Sequence, residues 1–199
     1  FPVDGAYVAI LDNGNGMGTE ELNSAMQYGS KNPIDARDAK DLGRFGLGLK
    51  TASLSQCRCL TVVTKQGDRI EGRQWDVDHV TETGSWSLIV LEAEEFENIP
   101  NINELRAYES GTLVVWQKLD RLKAGEINFD QALGRKIDGV REHLSLVFHR
   151  YLSGERGITK MKISINGEKV PAADPFLEAK SVQAMDDETL VVHGQKIIV

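Results

Sequence analysis

Asp12 follows the apolar run Ala6–Leu11 and opens Asp12-Asn13-Gly14-Asn15-Gly16-Met17-Gly18, so a carboxylate stands where a strand hands over to a tight loop. A carboxylate in that place accepts a hydrogen bond from an exocyclic amine such as adenine N6. Gly14 and Gly16 carry no Cβ and let backbone and ligand approach closely, while Met17 offers a soft, polarizable surface for a planar base. Taken alone, Asp-Asn-Gly also makes an ordinary turn. A second group, Gly43-Arg44-Phe45-Gly46-Leu47-Gly48, leads into the small and apolar Leu49–Leu54. The free N–H groups and positive dipole end of a helix there would bind an anion, phosphate first among them. This run neither follows a strand, as a Rossmann fingerprint requires, nor ends in the Gly-Lys-Ser/Thr of a P-loop. Lys50 could add a cationic contact to a terminal phosphate; Arg44 could pair with phosphate or with the acidic residues beside it, and both suit a solvated face equally well. A third group, Ser110-Gly111-Thr112, begins a strand from which the Thr112 hydroxyl could reach Asp12 directly or through a water, although a lone Thr in a strand is usually just a strand residue.

Positioning these groups requires a sheet with helices beside it. Thr19 offers a hydroxyl N-cap, Glu20 and Glu21 suit the positive end of a first turn, and Leu22, Ala25 and Met26 recur at helical spacing, which predicts a helix ending near Gly29. Residues 30–42 are polar, contain Asn32-Pro33 and read as a mobile surface loop. Strands are predicted at Cys59–Thr64, Arg69–Val77, Trp86–Leu91 and Thr112–Trp116, with Gln66-Gly67-Asp68 as a hairpin turn. Leu133, Ile137, Val140, Leu144, Phe148 and Tyr151 then mark one face of a long helix that would pack on the sheet or close the domain. A strand over Lys160–Ile165 enters the hairpin turn Asn166-Gly167, and Lys196–Val199 reads as another strand. The order of elements predicts an α+β layer architecture, with a domain boundary near residue 155.

In this order and spacing, the three groups resemble the motifs of the GHKL superfamily of ATPases, which includes gyrase B, the ninety-kilodalton heat-shock chaperones, sensor histidine kinases and MutL proteins. Asp12-Asn-Gly-Asn-Gly-Met17 is similar to its Asp-x-Gly-x-Gly adenine box, Gly43–Gly48 to its Gly-x-x-Gly-x-Gly lid box, and Gly111-Thr112 to its late Gly-Thr box. The run Gly43–Ser53 looks most like the MORC and MORC-like prokaryotic branch, with the heat-shock chaperones next. The resemblance implies a Bergerat-type α/β sandwich with a mixed, mainly antiparallel sheet. ATP would lie between its helical layer and a lid of residues 29–48. It implies nucleotide contacts from Asp12, Gly14, Gly16, Met17, Gly43, Arg44, Phe45, Gly46, Leu47, Gly48, Leu49, Lys50 and Thr112.

Members of that superfamily carry, on a helix upstream of the adenine box, a Glu that activates the attacking water and an Asn that holds Mg²⁺. Neither position falls within this sequence, which reads as a fragment: residues 1–155 as an ATP-binding domain without its N-terminal helix, and 156–199 as the start of a transducer-like domain. The expected function is ATP binding, with Mg²⁺-dependent hydrolysis in the intact protein driving lid closure and homodimer association. The alternative is a nucleotide-sensing or protein-interaction module without turnover. A sensor histidine kinase would need an upstream phosphoacceptor helix and would end after its ATPase domain, whereas this chain continues into Lys160–Ile165.

Composition narrows the field without choosing within it. With 41% hydrophobic and 27% charged residues the chain is ordinary globular material, and a formal charge of -7 gives no broad footprint for nucleic acid. Cys57 and Cys59 are too close for an easy disulfide and too few for a metal site, so they read as reduced core or strand residues. His79, His143, His149 and His193 lack ligand spacing, and Trp75, Trp86 and Trp116 fall in predicted strands where sheet packing accounts for them. No apolar run is long enough to span a bilayer and no signal peptide opens the chain, so a cytoplasmic location is expected.

Overall fold

The computed structural model describes residues 5–27, 48–120, 129–177, 181 and 189–198, which fall into two compact units, Phe1–Gly125 and Glu126–Val199. In the first unit β1 (Val8–Asp12), β2 (Cys59–Gln66), β3 (Arg69–Asp76), β4 (Ile89–Val90) and β5 (Ser110–Gln117) form a five-stranded sheet in the order β1-β5-β2-β3-β4. Every described pairing in it is antiparallel. The strand at its centre, β2, is buried from Cys59 to Thr64, which is why that stretch reads as a continuous apolar and β-branched run without polar alternation.

Each face has its own core. On one, Ala9, Leu11, Val63, Ile70, Leu113 and Val115 meet Leu91, Phe96, Ile99, Ile102 and Leu105, the last four from a 3₁₀ turn (Ala93–Asn98), the residue after it and helix α4 (Ile102–Arg106). On the other, Val8, Leu60, Val62, Val114, Trp75 and Trp116 meet Leu22 and Met26 of helix α1 (Thr19–Met26) and Leu49 and Leu54 of helix α2 (Gly48–Leu54). The result is an α+β sandwich with a helical layer on the face that carries the even-numbered side chains of β1, β2 and β5. Leu22 and Met26 are completely buried, worth about 1.5–3 kcal/mol each, so α1 is held to the sheet by its apolar stripe rather than by helix propensity.

Several elements depart from the sequence reading. Strand β3 stops at Asp76 because that carboxylate accepts the N–H of Asp78 (2.9 Å) and caps a helix, α3 (Val77–Thr83). Only Ile89–Val90 of the predicted Trp86–Leu91 strand pairs, while Trp86 stands 62% exposed with its ring 5.4 Å from that of buried Trp75. The N-cap of α1 is Gly18, whose N–H donates to Glu21 Oε2 (3.0 Å); Thr19 is already helical.

In the second unit the long helix runs Phe129–Val147 and breaks at Phe148 before a short helix, His149–Ser153. The break divides the predicted apolar face between two helices and puts His149 at the start of the second. The predicted strand Lys160–Ile165 pairs only at Ser164–Ile165, with Glu168–Lys169 across a turn whose Asn166 and Gly167 both have positive φ (51° and 83°). A second hairpin joins Thr189–Val192 to Gln195–Ile198. No helix among the described residues is long and apolar enough to cross a membrane.

Candidate functional site

Sheet register brings together residues far apart in sequence. Asp12 of β1 lies opposite Thr112 of β5, Thr112 opposite Thr64 of β2, and Thr64 opposite Glu71 of β3. Directly opposed residues of antiparallel strands project from the same face, so these four side chains form a row across the sheet on its helical side. Asp12 ends the row at the edge strand, exposed, with its Oδ1 accepting the N–H of Gly14 (2.8 Å). That bond fixes the carboxylate's orientation as the chain leaves the strand.

The loop after Asp12 is pinned to the sheet point by point. The carbonyl of Gly14 accepts the Ser110 hydroxyl (2.7 Å), that of Asn15 accepts Gln66 Nε2 (3.1 Å), and the N–H of Met17 donates to Thr64 Oγ1 (2.6 Å). Between them Gly16 has φ +66°, and a Cβ built there would lie 2.2 Å from the carbonyl oxygen of Lys65. The glycine expected for close approach is thus needed first by the protein's own backbone. Met17 is half-buried and packs against the helix-side core.

At the far end of the row Glu71 accepts the Thr19 hydroxyl (2.7 Å) and pairs with Arg69 and with Arg73 (3.3 Å). Arg73 is buried and donates to Asn23 Oδ1 on α1 (2.7 Å) and to its neighbour's carbonyl, Gly72 O (2.9 Å). Burial alone would raise the Glu71 pKa, but the Thr19 hydroxyl and the two arginines outweigh it and hold it below the ordinary carboxylate value. A carboxyl with a depressed folded pKa stabilises the fold above its unfolded pKa and loses that contribution as pH falls through the folded one. Stability of the first unit is therefore expected to fall on acidification below the ordinary carboxylate range, and Glu71→Gln to flatten that acid limb in urea titrations across pH. Identical acid limbs for the two proteins would contradict this.

The other predicted contacts fall as follows. Gly43, Arg44, Phe45, Gly46 and Leu47, with most of the 29–48 segment, lie outside the described residues. Gly48 begins α2 on the surface, and Leu49 is half-buried in the helix-side core. Lys50 is 1% exposed, and its ammonium donates to the carbonyls of Ala25 (2.7 Å) and Gln27 (2.5 Å) at the end of α1. Burial holds its pKa below the usual lysine value. Cys57 and Cys59 are free and buried, and burial pushes their thiols up to about 12 and about 11, which keeps both protonated and unreactive at neutral pH.

Thr64 and Glu71 were not among the residues expected at the site, and Gly111, though part of the expected Gly111-Thr112 motif, was not given a reason of its own. Within Cys59–Gln66 a threonine reads as a strand former, and only register shows that Thr64 shares a row with Asp12. Gly111 is required because a Cβ there would lie 2.2 Å from the backbone oxygen of Asp12. An open cleft of about 330 Å³, lined by Ala6, Cys59, Gln74, Asp76, Gln117 and Lys118, sits at the opposite ends of the strands and belongs to an ion-paired cluster in which Lys118 bridges Asp76 and Asp78. Among the described residues, no three His, Cys, Asp or Glu side chains are grouped to hold a metal ion.

Residues 2–112, more than half of the chain, match the family model described as histidine kinase-, DNA gyrase B- and HSP90-like ATPase. The matched span begins before β1 and ends on Thr112, so it contains the whole row and the pinned loop. No curated protein matches the chain.

Proposed function

Because the chain belongs to the histidine kinase-, DNA gyrase B- and HSP90-like ATPase family, we propose that it binds ATP on the helical face of the sheet, with Asp12 reading adenine. The observation that carries this reading is the oriented Asp12 carboxylate at the end of a four-residue row, beside a loop whose Gly16 meets the sheet backbone directly. Asp12 accepts from adenine N6, Met17 lies against the base, and Thr112, opposite Asp12, supports the carboxylate. Gly14 and Gly16 keep the loop close to the sheet. Gly43–Gly48 and the start of α2 take the phosphates. A guanine in the same pose would set its O6, an acceptor, against the carboxylate, so ATP is favoured over GTP.

In the intact protein ATP would be hydrolysed with Mg²⁺, which supplies charge neutralisation at the phosphates; the water-activating Glu and the Mg²⁺-holding Asn would come from upstream of β1, as in the GHKL proteins this chain resembles. Closure of the 29–48 segment and homodimer association would be the steps that nucleotide drives, in a protein of MORC-like or heat-shock-chaperone-like type.

Calorimetric titration of the full-length protein with a non-hydrolysable ATP analogue and Mg²⁺ tests the site. Wild type binds, and Asp12→Asn, which replaces the anionic acceptor by a mixed donor and acceptor, binds roughly 10–100-fold more weakly. A folded wild type that takes up no nucleotide sinks the reading. Steady ATP turnover by the same preparation separates an ATPase from a nucleotide sensor.

A further inference from the structure

Thr64 stands at the point where the two segments flanking Asp12 converge, and it is 1% exposed. Its hydroxyl oxygen accepts the N–H of Met17, five residues past Asp12, at 2.6 Å. Its single hydroxyl proton is directed at the carbonyl of Gly111 on β5, at 3.4 Å. Gly111 in turn lies against the Asp12 backbone closely enough that a Cβ would come within 2.2 Å of the Asp12 oxygen. One hydroxyl thus spans the loop on one side of Asp12 and the strand on the other, from the row position next to Thr112. No other residue type serves equally. Valine has the shape but neither donor nor acceptor, serine has the hydroxyl but lacks the methyl that fills a fully buried strand position, and longer polar side chains would overfill it.

We propose that Thr64 is a positioning residue that sets purine selectivity, by holding the Met17 backbone and the Gly111 strand edge so that the Asp12 carboxylate meets an exocyclic amine. The inference rests on the adenine-reading role of Asp12. Without the hydroxyl the Met17 N–H loses its acceptor, the loop keeps its Gln66 bond to β2 but not the one nearest Met17, and the carboxylate loses part of the fixed frame that favours an amine over a carbonyl. Thr64 touches no nucleotide in this account; it acts through Met17 and Asp12.

The experiment compares wild type, Asp12→Asn, Thr64→Val and Thr64→Ser in the full-length protein, titrated with non-hydrolysable analogues of ATP and of GTP, with a thermal melt of each. Thr64→Val is expected to bind the ATP analogue about tenfold more weakly and to narrow the ATP-over-GTP ratio by a similar factor, while Thr64→Ser keeps both within about threefold of wild type even though its lost methyl lowers its melting temperature. That crossing of stability and selectivity is what a purely structural threonine would not give. Thr64→Val with wild-type selectivity overturns the inference, as does Thr64→Ser as unselective as Thr64→Val. If Thr64→Val does not fold, Thr64→Ser against wild type decides, a loss beyond about tenfold overturning the inference. Binding by wild type with loss in Asp12→Asn shows that the site reading stands even when Thr64 fails; no binding by folded wild type overturns both.

Discussion

Gly111→Ala is expected to destabilise the first unit by about 3 kcal/mol, a fall of roughly 10 °C in melting temperature for a unit of this size. The added Cβ would sit 2.2 Å from the carbonyl oxygen of Asp12, 3.2 Å from its carbonyl carbon and 3.3 Å from the Cα of Asn13. All three are backbone atoms, so no side chain can rotate away and the strands themselves must part. They would part where Asp12 faces Thr112, the last rung of the β1–β5 ladder, and the carboxylate proposed to read adenine would move with the backbone that carries it. Gly14 makes a useful contrast, since a Cβ there would meet the Asp12 side-chain Oδ1 at 2.8 Å, a group that can swing aside. Thermal melts monitored by circular dichroism check the expectation. A Gly111→Ala protein melting within ~2 °C of wild type would show that the β1–β5 contact is slacker than its geometry implies.

That glycine also shows which parts of the molecule could be read from sequence. Ser110-Gly111-Thr112 was recognisable as a motif because its residue types recur at a set distance from Asp12-Asn-Gly-Asn-Gly. The reason for the glycine is a contact between strands 99 residues apart, which no local pattern contains. Elements with strong periodicity were legible: β1, the body of α1, α2, the β2–β3 hairpin and β5 all form where apolar spacing and turn residues put them. Helix α3, the 3₁₀ turn and α4 were not. All three are short and acidic at their starts; the 3₁₀ turn and α4 are held by Phe96, Ile99, Ile102 and Leu105 fitting against one face of the sheet, and α3 by Val80 packing on the other, rather than by any repeat long enough to register. Trp86 misled for a related reason, because an aromatic next to an apolar run reads as a strand while its ring is in fact placed against Trp75.

Lys50 is where local pattern and tertiary structure diverge furthest, and its substitution has the second large expected effect. Two residues past a glycine-rich run, a lysine suggests a phosphate contact. In the fold its ammonium reaches the carbonyls of Ala25 and Gln27, while Trp75 Nε1 takes the intervening carbonyl of Met26 (3.0 Å). Helix α1 has no basic residue in its own last turn, so α2 supplies the cation that the negative end of its dipole favours. The bridge also joins the helix that follows the Asp12 loop to the helix that follows Gly43–Gly48 in sequence, giving the two halves of the proposed site one frame. Lys50→Met keeps the stem and removes the charge and its donors, stripping two buried-end carbonyls of a charged partner. The expected cost is about 3 kcal/mol, or roughly 10 °C. A lysine whose main task was to touch phosphate would behave differently: Lys50→Met would melt with wild type and lose only nucleotide affinity. Melts of the nucleotide-free protein therefore decide between the two roles, and an unchanged melting temperature would remove Lys50 from the framework of the fold.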